Sequence, residues 1–394
     1  MQTGLTQDVV LGPWAKSFPA WSWGMTQREF IANEPRLSAF ATPLLTIDRS
    51  ATIHNVALMA DWLVERGLEI APHGKTTMAP QLWQQLLDGG AWGITLATGW
   101  QVQLARSFGV RRIILANQLI DPVVLRWLGV ELADPAFEFL CWVDSVEAVA
   151  IMRAGLAGAA RPVDVVVELG SGRTGAASVG DALAVAAAVD AAPELRLVGV
   201  GGYEGSAGST RSAADLAAVG EFLDRVVAVH DAIHWERRPI VTAGGSAYFD
   251  LVADRLAPLT GAATVVLRSG AYQLHDEGFY RGITPQPGLR PAVHGWARVL
   301  SRPDARLAIL DGGKRDFPYD LGLPVSRYGE LSKLNDQHGY LPLAGTEVGP
   351  AVGDVLRLGL SHPCTAFDKW RVIPVLEDVD AVDPVVVDLV RTYF

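Results

Sequence analysis

Leu68-Glu69-Ile70-Ala71-Pro72-His73-Gly74-Lys75-Thr76 is a short apolar run that stops in a Pro-His-Gly turn and then presents a lysine. Met78–Gly89, which follows, reads as a helix, and this couplet of apolar run and helical stretch recurs to about Gly270. Strands are expected at Leu68–Ala71, Gly93–Ala97, Arg112–Ala116, Glu138–Val143, Val163–Leu169, Leu195–Gly201, Ile240–Thr242 and Ala263–Arg268. Helices are expected between them at Met78–Gly89, Gly99–Phe108, Asp121–Leu128, Val146–Gly155, Val179–Ala191, Ser212–His230 and Ser246–Asp254. Such alternation predicts an α/β fold whose parallel strands close into a (β/α)8 TIM-type barrel.

A further apolar run, Pro43–Asp48, precedes the set, and Arg49–Arg66 reads as a helix entering the barrel, so the barrel module is placed at residues 43–290. Beyond Pro291 the texture changes to strand-like runs separated by Gly/Pro turns: His294–Leu300, Arg306–Leu310, Asp354–Leu360, Trp370–Pro374 and Val385–Tyr393. Residues 291–394 therefore read as a second, mainly β domain. The Trp-rich, Pro-interrupted segment 1–42 lacks periodicity and is expected to pack on that domain.

The composition suits an enzyme with a large core: 394 residues, 49% hydrophobic and 19% charged, with 40 Gly and 23 Pro. A formal net charge of -10 argues against capture of nucleic acid or anionic lipid, leaving a small molecule as the expected partner. Met1–Trp23 has no basic head before an apolar core, and no stretch is apolar for the ~20 residues that span a bilayer, so a cytoplasmic, non-membrane protein is expected. Cys141 and Cys364 are too few for a disulfide framework. Cys141, inside Phe139-Leu140-Cys141-Trp142-Val143, reads as a small buried hydrophobe.

In such a barrel the active site is built from the loops after the strands. The first strand is followed by Lys75, an amine able to form a Schiff base, although a surface lysine would show the same spacing. The fifth runs into Gly170-Ser171-Gly172-Arg173-Thr174-Gly175, and the sixth into Gly202-Tyr203-Glu204. The seventh gives Gly244-Gly245-Ser246 before a helix and the eighth Ser269-Gly270-Ala271-Tyr272; these are the usual phosphate loops, with glycine N–H groups, a hydroxyl and a helix N-terminus. Residues 170–175 also match the dinucleotide fingerprint, but four βα units precede them and Glu204 supplies the required acid only loosely. Late in the chain, Ser361-His362-Pro363-Cys364-Thr365 offers two borderline-soft metal ligands, which an extended segment would project to one side. A surface histidine near a buried thiol gives the same letters.

Taken together, Pro72–Thr76, Arg173-Thr174-Gly175, Gly244-Gly245-Ser246 and Ser361–Thr365 resemble the alanine-racemase-like enzymes that use pyridoxal 5′-phosphate (PLP), and within them the D-serine dehydratase and D-threonine aldolase group. The resemblance spans nearly the whole chain. It implies Lys75 as the Schiff-base lysine and catalytic base, Arg173 and Tyr203 beside the cofactor ring, and Gly244, Gly245 and Ser246 on its phosphate; Gly270 and Tyr272 are expected at the cofactor from their place after the eighth strand. It implies a divalent metal, zinc by preference for a thiolate, on His362 and Cys364, and a head-to-tail homodimer. Aldolase relatives carry His-x-Asp at the metal segment and dehydratase relatives His-x-Cys, so the expected reaction is dehydration of a β-hydroxy D-amino acid such as D-serine, D-threonine or 3-hydroxyaspartate. D-threonine-type aldol cleavage stays open. So does a non-catalytic PLP-binding protein, which should lack the second domain.

Overall fold

The computed structural model describes residues 9–345 and 349–394; the first eight residues of the 1–42 segment lie outside the described residues. Eight parallel strands form one sheet: Glu69–Ile70, Ile94–Leu96, Arg112–Gln118, Glu138–Val143, Val163–Leu169, Leu195–Gly202, Ile240–Ala243 and Thr264–Leu267. The first pairs with the eighth through Glu69–Val266 and Ile70–Leu267. Closure onto the second strand is made just past the first strand's end, where Gly74 N–H donates to Thr95 O (2.8 Å) and Thr95 N–H to Pro72 O (2.9 Å). The turn carrying Lys75 is thereby stitched into the barrel wall.

The unbroken apolar runs follow from burial on both faces. In the fourth strand Phe139, Cys141 and Val143 face the helices while Leu140 and Trp142 fill the barrel interior with Ile114, Val166 and Val266. Burial pushes the Cys141 thiol up, keeping it a neutral hydrophobe. The second to sixth strands hand over to their helices through a side chain that captures an orphan N–H: Thr98 takes Gln101 N–H, Asp121 takes Val123 and Val124, Ser145 takes Ala148, Ser178 takes Asp181 and Ser212 takes Asp215. Losing one such cap costs about 0.5–2 kcal/mol.

Val293–Asp304 forms the centre of a second, largely antiparallel sheet, flanked on one side by Val355–Gly359. Its other neighbour corrects the sequence boundary: Leu44–Asp48, grouped with the barrel from residue 43, pairs antiparallel with Val293–Trp296 and parallel with Val375–Leu376. All five of its residues are buried, so a central strand covered on both faces reads as a featureless apolar run that either module could claim. The helix Arg49–Val64, capped by Asp48, then leads into the barrel. Phe18, Phe30 and Phe40 pack against one another inside the second domain's core. Among the described residues no helix is long and apolar enough to cross a membrane.

Candidate active site

A cavity of about 370 Å³ opens at the barrel mouth and is closed on one side by the second domain. It brings together Lys75, Arg173, Tyr203, Gly245, Ser246 and Gly270 from five barrel loops with His362 and Cys364. Lys75 reaches into the open cavity; burial of its amine draws the pKa down, Cys364 opposes this, and Arg173 and Arg268 add to it. A smaller fraction of the amine is therefore charged than on an exposed lysine. Arg173 lies 5.1 Å over the Tyr203 ring.

Three residues expected at the cofactor, Tyr272, Gly244 and Gly245, are placed or engaged differently. Tyr272 is buried and faces away from the cavity, beside Val56, Leu63 and Ile70 on the flank of the barrel. The cause is local: Ala271–Gln273 forms a 3-10 turn that keeps Gly270 and Ala271 at the cavity and rotates Tyr272 outward. Gly244 and Gly245 do expose consecutive N–H groups, but both donate to the buried Glu204 carboxylate, at 2.9 and 2.5 Å. Glu204 thus occupies the donors that sequence reasoning assigned to a phosphate. Ser246 remains at the rim; its Oγ accepts Ala271 N–H at 3.1 Å, leaving its own hydrogen to donate. Gly270 is required by close approach, since a Cβ there would lie 2.6 Å from His73 O.

Arg268, taken from sequence only as the end of a strand, is a wall of the cavity. It is 2% exposed, with Nη1 donating to Thr242 Oγ1 and Nη2 to Gly202 O, each at 2.6 Å, and lies 5.0 Å over Trp142. Burial draws it down to about 10, against the nearby Glu204 and Glu168. An arginine ending a buried apolar strand was the available signal. Its Nε and the Nδ1 of His73 are buried without partners, and both residues line the cavity. Unsatisfied polar atoms beside a lysine and a hydroxyl-bearing rim fit a polar, anionic group such as PLP.

The segment His362–Thr365, expected to hold a metal, is not extended. His362 has a left-handed backbone (φ 53) and Pro363–Thr365 is a 3-10 turn, yet both His362 and Cys364 line the cavity. The nearby Cys364 raises His362 to about 9, burial opposes, and Asp320, 2.7 Å from Nδ1, adds to the rise. Burial pushes the Cys364 thiol up, but His362, Thr76 and Lys75 together bring it below its ordinary value. The Thr76 hydroxyl lies 3.3 Å from the sulfur. A thiol of lowered pKa beside an imidazole is, once both give up their protons, a chemically suitable donor pair for a soft divalent ion. Among the described residues no group of three or more such side chains is arranged around one point. Tyr280, also missed in sequence, completes this side of the cavity, its ring 5.9 Å from that of His362.

Residues 47–253, the helix entering the barrel and most of the barrel itself, match the family model described as the alanine racemase N-terminal domain. The chain belongs to this family of alanine-racemase-like PLP enzymes. Residues 292–376 of the second domain match a model described as a putative serine dehydratase domain. This alanine-racemase-like chain is 27% identical to a D-threonine aldolase of Arthrobacter sp over 354 residues, covering 87% of this chain and 90% of that protein. A 3-hydroxy-D-aspartate aldolase of Paracoccus denitrificans (strain Pd 1222) is 26% identical over 350 residues, 85% and 89% of the two chains. Among solved structures, the D-threonine aldolase from Filomicrobium marinum superposes with a TM-score of 0.79 at 23% identity, covering 91% and 96%. The D-threo-3-hydroxyaspartate dehydratase from Delftia sp. HT23 does so with 0.72 at 21%, covering 91% and 99%. Structures of that kind of dehydratase include one with a histidine replaced and a metal-free one with a cysteine two positions later replaced.

Proposed function

We propose that this chain is a PLP- and metal-dependent lyase that dehydrates β-hydroxy D-amino acids to a 2-oxo acid and ammonia. One observation carries the reading: His362 and Cys364, a metal-donor pair with histidine and cysteine two apart, face Lys75 inside one cavity. The dehydratase in which a histidine and a cysteine at the same spacing were replaced, the latter metal-free, supports it. When bound, PLP supplies a conjugated electron sink that acidifies the substrate Cα–H.

Lys75 would hold the cofactor covalently, and its amine, drawn toward neutrality by burial, would take the Cα proton of the substrate. Ser246, whose hydroxyl hydrogen is left to donate, and the unpartnered Nε of Arg268 and Nδ1 of His73 would hold the cofactor's polar groups. His362 and Cys364 would hold the metal, zinc by thiolate preference, and its Lewis acidity would favour departure of the β-hydroxyl. The released enamine tautomerises to an imine, which water hydrolyses; D-serine would give pyruvate and ammonia.

Aldol cleavage at the same lysine is the second reading, favoured by the names of the two curated relatives. Ammonia release from D-serine and D-threo-3-hydroxyaspartate, measured before and after chelation and after zinc is restored, tests the proposal. Release that stops on chelation and returns with zinc is expected; release indifferent to chelation would refute the metal's part in it.

A further inference from the structure

His362 is held at three points. Its backbone N–H donates to Asp276 Oδ2 at 2.9 Å, which anchors the left-handed conformation. The other oxygen of Asp276 accepts the N–H groups of Gly278 (3.0 Å) and Tyr280 (2.8 Å), so the loop after the eighth barrel strand is tied to the metal segment of the second domain. The imidazole sits against the rings of Phe279 and Tyr280, each 5.9 Å away. These contacts fix where the ring lies but not which nitrogen carries the proton.

Asp320 supplies that choice. Its Oδ2 lies 2.7 Å from His362 Nδ1, and its Oδ1 accepts the Thr365 hydroxyl at 3.3 Å, so the carboxylate is itself held. A carboxylate can only accept from the imidazole, which places a hydrogen on Nδ1 and leaves the lone pair to Nε2. We propose that Asp320 is a positioning residue for His362, fixing the Nδ1–H form so that Nε2 is the atom offered to a metal beside Cys364. The inference rests on the metal reading above and adds a residue that no sequence motif marks. Without Asp320 either nitrogen could carry the proton, and the fraction with a free lone pair on Nε2, competent to bind, would fall.

The test is titration of the metal-free, PLP-loaded enzyme with Co²⁺, read by the thiolate-to-cobalt charge-transfer band. Wild type, D320A, D320E and H362A are compared, with cofactor absorbance and circular dichroism as controls for folding. D320A is expected to weaken Co²⁺ binding about 10–100-fold with the cofactor spectrum unchanged, and D320E to recover part of the loss. Asp320 is partly exposed, and D320S provides the same contrast should D320A fold poorly. Affinity in D320A and D320S within about two-fold of wild type would overturn the positioning role. A wild-type enzyme that shows no charge-transfer band would instead overturn the metal reading, before any Asp320 variant is compared.

Discussion

Arg268→Met replaces a buried cation with an apolar chain of similar length. Gly202 O and Thr242 Oγ1 each lose a donor at 2.6 Å. A buried polar group left unpaired costs about 1–3 kcal/mol. The nearby buried carboxylates of Glu168 and Glu204 also lose their compensating charge, the situation in which breaking one side of a buried pair costs about 3–5 kcal/mol. Part of this is offset because the guanidinium, drawn down to about 10 by burial, no longer has to be desolvated. The net expectation is a loss of about 3 kcal/mol. Arg268→Lys keeps the charge but not the planar two-donor fork, so roughly half that loss is expected. Urea unfolding followed in parallel by tryptophan fluorescence and circular dichroism measures both, and PLP titration should show weaker binding in the order wild type, Lys, Met. A Met variant as stable as wild type, or Lys and Met variants that behave alike, would refute the assignment of Arg268 as the charge that organises this wall.

Gly270→Ala sets a Cβ 2.6 Å from His73 O and 2.8 Å from His73 N, backbone atoms that cannot swing aside. A cost of about 1–3 kcal/mol and weaker PLP binding are expected, the latter read by fluorescence titration; unchanged affinity would remove Gly270 from the rim. His294 is drawn from 6.5 to about 4, chiefly by burial and then by Arg357, with Asp48 opposing. Between those values the unfolded chain binds the proton and the folded one does not, so stability should fall as pH drops from about 6.5 to 4, by up to ~1.4 kcal/mol per pH unit. His294→Gln should flatten that slope in urea midpoints taken across the window, and an unaltered slope would assign it to other groups.

The barrel was readable because its strands are buried on both faces and five of its helices are capped by short polar side chains. Val163–Leu169 has the same ends in the sequence and in the structure, and Lys75, Arg173 and Ser246 converge because each follows a strand. Leu44–Asp48 was misgrouped because a strand with every residue buried carries no mark of the sheet it joins. Tyr272 was misplaced because one 3-10 turn rotates a side chain from the cavity to the flank, a matter of dihedrals rather than residue type. Glu204 lay within a quoted motif, but its use of the Gly244 and Gly245 donors depends on contact between two loops. Asp320 reaches His362 from 42 residues away in a segment without periodicity, and spacing cannot report such a contact.

D-threonine is the substrate on which dehydration and aldol cleavage part most cleanly. The PLP- and zinc-loaded enzyme is expected to convert it to equal amounts of 2-oxobutanoate and ammonia, with both lost on chelation. Glycine and acetaldehyde in equal amounts would contradict the account and make the same lysine and metal pair those of an aldolase.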